Sequence, residues 1–219
     1  MKRSEDLAYW YLRLNGCLTV SNFYLHPPHK GGALAEADIV GVRFPGRAEF
    51  DDKNADDALF AQEDATIFLI AEAKASGECS LNASWTRDSK ALSYVLRRFG
   101  PVAAGKEEGI AETWIRTGGY KDSSLRCFFL CLAARYSECL RSNYPEIQQR
   151  TWEEILQFFH RRFSTHRKRK LDHSQWDSVG HLIWDTWEKD ARREYGRFTK
   201  IMRREFNLPS LDPRAIEGD

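Results

Sequence analysis

The 219-residue chain has no surplus of either charge: 33 basic residues stand against 32 acidic ones, for a net charge of +1. Overall charge therefore does not mark a nucleic-acid binder, and any affinity for phosphate has to come from local patches. The chain also lacks a Cys-x-x-Cys pair. Its five cysteines (Cys17, Cys79, Cys127, Cys131 and Cys139) are odd in number, which speaks against a disulfide framework and against a zinc site. Cys127 and Cys131 fall in the apolar run between Arg126 and Arg135 and read as buried thiols. No secretory signal and no apolar stretch of membrane length is present, so a cytoplasmic setting without a membrane partner is the expectation. A Gly-rich phosphate loop, a His-Glu-x-x-His pair and a nucleophile elbow are all missing, as are internal repeats and low-complexity segments. Apolar residues are somewhat sparse at 42%, but aromatics at 13%, seven of them Trp, argue for burial rather than disorder.

What is there reads as one α/β domain, or one core with an appendage. The first sixteen residues read as a helix, with Ser4 as its cap, Glu5 and Asp6 in the first turn and Asn15-Gly16 as its stop. Alternation predicts strands at 18–25 and 36–44, ended by Pro27-Pro28 and Pro45-Gly46. The polar stretch 46–64 holds Asp51, Asp52, Asp56, Asp57, Glu63 and Asp64 against Arg47 and Lys53; it reads as a solvated loop, with collection of a metal as the lesser alternative. A strand at 65–74 carries the continuous apolar run Ile67-Phe68-Leu69-Ile70-Ala71 and looks buried on both faces. Helices at 85–99 and 107–116 and a strand at 125–134 follow. Beyond Tyr144-Pro145 the chain reads as helical. One amphipathic helix carries Trp152, Ile155, Leu156, Phe159 and Phe163. A longer one runs from Trp176 through Val179, Ile183, Trp187, Ala191, Tyr195 and Phe198 to Met202, and its aromatic stripe reads as core or partner contact. From Leu208-Pro209 onward the chain reads as a loose tail. The division expected is a mixed sheet flanked by helices over 1–140 and a helical extension over 141–219, packed on that core or on a partner.

Chemistry is concentrated where the buried strand ends in Glu72-Ala73-Lys74, with Asp38 on the strand before it. Strand alternation points Glu72 and Lys74 to one face, roughly 7 Å apart. If the two strands pair, Asp38 reaches that face beside Glu72. Two carboxylates and an ammonium are costly to bury without a purpose, and a hard divalent cation resolves the conflict. Asp38, Glu72, the carbonyl of Ala73 and waters make an oxygen shell suited to Mg²⁺ or Mn²⁺. The metal would lower the pKa of a bound water, and Lys74 would orient or deprotonate it or offset developing charge. Hydrolysis of a phosphodiester needs these parts and little more. An ion pair at a strand end is the structural alternative for Glu72 and Lys74, and a strand-edge acid the alternative for Asp38.

At these residues the chain resembles the PD-(D/E)XK, or restriction-endonuclease-like, superfamily, over residues 4–134. The resemblance implies an αβββαβ core, an acid on the second strand matched by Asp38, and a (D/E)-x-K on the third matched by Glu72-Ala73-Lys74. It also implies a supporting glutamate on the first helix, matched by Glu5, although the helix dipole alone accounts for an acid there. Ala37 stands where the family name has proline, and the acidic insertion makes the spacing from Asp38 to Glu72 long. Relatives place a Gln or basic residue on the following helix to contact phosphate; here Lys90, Arg97 and Arg98 are available, with no means of choosing among them.

A second basic source is the run from His160 to Lys170, with Arg161, Arg162, Arg167, Lys168, Arg169 and Lys170, which reads either as a phosphate-neutralising surface or as a solvated helix end. His26 and His29 around Pro27-Pro28 read first as incidental to a turn, with facing the cleft as the lesser alternative. Asn82-Ala83-Ser84-Trp85 either lines the site or only caps a helix. The expectation is thus a metal-dependent nuclease, with DNA favoured by the resemblance and with a role in a multi-component defence or repair system by analogy alone. A protein partner or a homodimer fits the same reading. The rival is a nuclease-fold subunit that binds nucleic acid or protein without cutting, using Trp176, Trp184 and Trp187 for docking.

Overall fold

A computed structural model describes residues 3–26, 32–47, 56–61 and 64–210. The acidic-stretch residues Asp51, Asp52, Lys53 and Glu63, the turn residue His29 and the tail 211–219 lie outside the described residues. The fold is α/β, with a mixed, open six-stranded sheet flanked by helices.

Helix α1 (Ser4–Leu14) is capped by Arg3 rather than by Ser4, because Asp6 turns its carboxylate back onto the Arg3 backbone N–H at 2.9 Å. Strands β1 (Leu18–Leu25), β2 (Ala35–Arg43) and β3 (Thr66–Ala73) form an antiparallel meander. A 3₁₀ turn (Ala83–Trp85), helix α2 (Ser89–Phe99) and helix α3 (Glu107–Thr117) make the crossover that a parallel neighbour requires. That neighbour is β5 (Leu125–Ala133), parallel to β3. Two short polar strands, β4 (Gly119–Lys121) and β6 (Gln148–Thr151), share the outer edge of β5. Neither has an apolar pattern to betray it, and β6 carries the sheet past residue 141 into the stretch that read as wholly helical.

The long apolar run of β3 is buried on both faces. Ile67, Leu69, Ala71 and Ala73 pack with α1 and the C-terminal helices; Phe68 and Ile70 pack with α2 and α3. After a short helix, α4 (Glu138–Asn143), helix α5 (Trp152–His166) is capped by Thr151 and Glu154 and buries Ile155, Phe159 and Phe163 against the first of these faces. The single long helix expected next is three pieces: α6 (Ser178–Asp185), a π-helical turn (Thr186–Asp190) and α7 (Tyr195–Glu205). Arg192 and Arg193 turn the chain between them with φ of 51° and 67°, a conformation that costs non-glycine residues energy. Glu188, held by both Arg167 and Arg193, secures the bend. Apolar spacing runs on through it because both helices dress the same core. Trp184 and Trp187 are buried there and Trp176 packs at a tilt against Trp10, ring centroids 4.9 Å apart, so this stripe faces inward. Gly180 permits that approach: a β-carbon there would lie 2.1 Å from the Trp10 ring.

One irregularity positions the site. Ile39 packs on the α1 side and Val40 on the α2 side, so alternation would return residue 37 to the α1 side. Instead Ala37 and Ala35 both join Val40. The pleat of β2 therefore changes phase at Asp38. Across from it on β1, Asn22 has φ +52°, and Phe23 and Leu25 likewise pack on the α2 side. Pairing of β2 with β3 runs from Arg43↔Ile67 to Ile39↔Ala71 and stops there, one step before Asp38 would meet Glu72.

Candidate active site

Where β2 and β3 part, the Asp38 side chain fills the gap: its Oδ2 accepts the backbone N–H of Ala73 at 2.7 Å. On the other side of β3 the Lys74 N–H still donates to Leu132 of β5 at 2.8 Å. The last turn of the strand is thus held by a carboxylate on one edge and by the sheet on the other. Glu72 is only 3% exposed. Its Oε2 accepts from Lys74 Nζ at 3.2 Å, and its Oε1 accepts from the indole N–H of Trp85, also at 3.2 Å. The same indole N–H donates to the Glu36 carbonyl at 2.8 Å, so Trp85 ties the Glu72 carboxylate to the backbone of β2. From α5, Trp152 donates its N–H to the Lys74 carbonyl at 2.9 Å.

Asp38, Ala73, Lys74 and Ser76 line a cleft of about 480 Å³ with Glu5 on its α1 side. Phe206 and Asn207, just past α7, form the remaining wall. Lys74 is part-exposed into this space, whereas Glu72 does not line it. A smaller hollow of about 200 Å³ adjoins it, bounded by Glu5, Asp38, Asn22 and Asp177.

Charge at this site is under-compensated. Burial raises the Asp38 carboxyl above its ordinary range; the Ala73 N–H and Lys74 oppose this, and Glu5 and Glu36 add to it. Burial and then the charge of Asp38 push Glu72 up to about 7, against the pull of Lys74 and Trp85. Burial works to lower Lys74, but the Glu72 carboxylate more than offsets it and the ammonium is held above its usual value. Two carboxylates facing one ammonium invite either a proton or a further cation.

Among the described residues, no group of three or more His, Cys, Asp or Glu side chains gathers at metal-binding spacing. Mg²⁺ does not require one, since it keeps several waters and is held by one or two carboxylates. Asp38 and Glu72 fit that donor set in chemistry, with negative charge that burial penalises and that only one ammonium offsets. Glu72 would exchange its bond to Lys74 for the cation, freeing the ammonium for the cleft.

The basic residues singled out in the sequence fall elsewhere. Arg97 reaches Glu107 at 3.7 Å, and Arg98 donates to the His26 carbonyl at 2.8 Å. Lys90 lies against Asp88, the cap of α2. Arg162 is buried, its guanidinium 2.8 Å from Asp56. Arg167 pairs with Glu188 at 2.6 Å, and Lys170 is buried with its ammonium over the Trp176 ring. Arg161, Lys168 and Arg169 are exposed. Arg167 to Lys170 follow the far end of α5, whose 15 residues span roughly 22 Å from the Trp152 contact.

Sequence reasoning pointed to the segment containing Trp85 without separating its indole from the cap, which Asn82 does provide to the Ser84 N–H. Trp152 was indistinguishable from its apolar neighbours; a buried Trp N–H in want of a partner is the one available signal. Phe206 and Asn207 carried none. Cys17, Cys79, Cys127 and Cys131 are buried, and burial pushes their thiols up, to about 12 for Cys17 and Cys79.

No family model matches the chain, and no curated protein or solved structure matches it significantly.

Proposed function

We propose that this chain is a metal-dependent phosphodiesterase acting on nucleic acid, of the restriction-endonuclease-like type. The observation that carries the reading is that Asp38 and Lys74 line one cleft with Glu5 where two strands part, with Glu72 buried behind Lys74 and bonded to it. The order helix, three strands, two helices and then the parallel strand β5, with the acid on β2 and the Glu-x-Lys at the end of β3, is close to the arrangement the resemblance implies and supports it further.

In this reading Asp38 and Glu72 hold a Mg²⁺ or Mn²⁺ ion, which when bound supplies charge for the phosphate and acidifies a water. Lys74, on the cleft wall and already fully protonated beside Glu72, stabilises negative charge on a phosphate oxygen rather than acting as the resting base. Trp85 fixes the Glu72 carboxylate and Trp152 the backbone of Lys74, so the carboxylate and the strand end that carries the ammonium are ordered before reaction. Glu5 adds charge near Asp38 that favours a cation there. DNA is preferred to RNA through the resemblance alone.

One observation favours a non-cleaving subunit: both Glu72 oxygens already have protein partners. The decisive experiment incubates the purified chain with linear, circular and single-stranded DNA and with RNA, in Mg²⁺, Mn²⁺ or EDTA. Cleavage that requires metal and disappears in Lys74→Ala and Asp38→Ala is the expected result. Binding without cleavage of any substrate would move the assignment to the subunit.

A further inference from the structure

The strongest basic run in the sequence is largely taken up within the fold: Arg162 and Lys170 are buried and Arg167 is clamped on Glu188. Arg161, Lys168 and Arg169 of that run stay exposed, and a second row of cations stands on α7. This helix carries Arg197, Lys200, Arg203 and Arg204 against a single acid, Glu205, in a chain whose net charge is only +1. Phe198, Thr199 and Met202 face the core, and Arg203 is drawn under to Glu153. Arg197, Lys200 and Arg204, at i, i+3 and i+7, are left exposed in one line. They border an open groove of about 870 Å³; Arg204 pairs with its neighbour Glu205 at 2.9 Å while staying exposed, and neither Arg197 nor Lys200 makes an ion pair among the described residues.

The groove has a direction. Its N-terminal end carries Asp190 and Glu194, and its positive charge lies toward the C-terminal end of α7. Immediately beyond that end, Phe206 and Asn207 form a wall of the cleft that holds Asp38 and Lys74. The stripe spans roughly 10 Å along the helix, the rise of about three phosphates of one strand.

We infer that the Arg197–Lys200–Arg204 face of α7 is the track on which the phosphate backbone of one nucleic-acid strand lies as it enters the Asp38–Lys74 cleft. The inference rests on the phosphodiester reading of that cleft. A lipid surface fits the stripe less well, because its only apolar member, Ile201, is half-buried and offers little to an acyl layer.

The test uses the full chain in EDTA, so that binding is read without cleavage. Anisotropy of a labelled single-stranded DNA 20-mer, and of its duplex, is followed from 50 to 200 mM salt. The comparison is between the native chain, the triple variant Arg197→Gln, Lys200→Gln, Arg204→Gln, and the control pair Arg161→Gln, Lys168→Gln. Three phosphates contribute about 2 to the logarithmic salt slope for a single strand. The native chain should therefore lose about 20-fold more affinity over that range than the triple variant, with the control close to native. Circular dichroism and thermal melting check that the variants stay folded, and Lys200→Gln alone should lower the slope by about 0.7. Unchanged affinity and slope in the folded triple variant overturn the inference, even if the native chain cleaves DNA with Mg²⁺. Stripe-dependent binding sustains it even if no substrate is cut, a result that would count only against the enzyme assignment. Binding to phosphatidylserine vesicles but not to nucleic acid overturns it in favour of a lipid partner.

Discussion

Strand β2 ends on two buried ionic clusters built on opposite terms. At its C-terminal end Arg43 donates to Asp56 at 2.8 Å and to the Asn15 carbonyl at 2.9 Å. Asp56 also takes Arg162 at 2.8 Å, and neighbouring Asp57 takes Arg150 at 2.7 Å. Burial works to raise the Asp57 carboxyl, but Arg150 and the Leu59 N–H outweigh it and hold it below its ordinary value. Here cations outnumber acids, and Asp57 is better off charged. At the N-terminal end the balance reverses: Asp38 and Glu72 are both raised, with Lys74 as the one ammonium between them. Buried ion pairs of the first kind hold a chain in register; a deficit of the second kind is what a site for a bound cation would need.

The contrast makes ordered predictions. Lys74→Ala should reduce metal-dependent cleavage by about 10²- to 10⁴-fold, as measured by single-turnover rates, while leaving stability within about 1 kcal/mol. An equal loss of rate and of fold would erase the distinction between the clusters. Asp56→Ala, which strips a carboxylate from two arginines, should cost about 3–5 kcal/mol in urea denaturation. A cost below about 1 kcal/mol would place the Arg43–Asp56–Arg162 cluster among ion pairs of no structural weight.

The pH dependence follows from Glu72. Its folded value of about 7 lies above the ordinary 4.5, so the folded state holds a proton that the unfolded chain has released. The metal-free protein should have this contribution in full below about pH 4.5 and lose it as pH rises through about 7, by about 3 kcal/mol in all. Glu72→Gln should flatten that decline, and millimolar Mg²⁺ or Mn²⁺ should raise the melting temperature of the native chain on its alkaline side. A stability profile identical in the native and Glu72→Gln chains would contradict the assignment of charge deficit to this pair. Smallest is Trp85→Phe, which keeps a six-membered ring but loses the buried pyrrole ring with the N–H shared by Glu72 and Glu36; about 2 kcal/mol is expected from thermal melts, with metal affinity weakened as well.

Some of this was legible in the residues and some was not, for physical reasons. The apolar run 67–71 could only be a doubly buried strand, and that placed Glu72 and Lys74 at its end. The phase change at Asp38 was hidden, because Ala35, Ala37, Ile39 and Val40 suit either face. Strands β4 and β6 are too short and polar to show a period. The bend at Arg192 and Arg193 leaves apolar spacing intact, so two helices read as one. Arg162 was readable in principle: it falls three and four residues after Phe159 and Phe158, on the inward stripe of α5, where a cation must carry its own acid.

The carboxylate of Asp38 stands in for a missing rung of the sheet, and this gives the molecule an internal reporter. While Oδ2 holds the Ala73 amide, that proton is shielded as if it belonged to the ladder. A ligand that draws the carboxylate away hands the amide back to water. Hydrogen exchange at this single backbone position therefore reads the occupancy of the cleft, with no label and no altered residue.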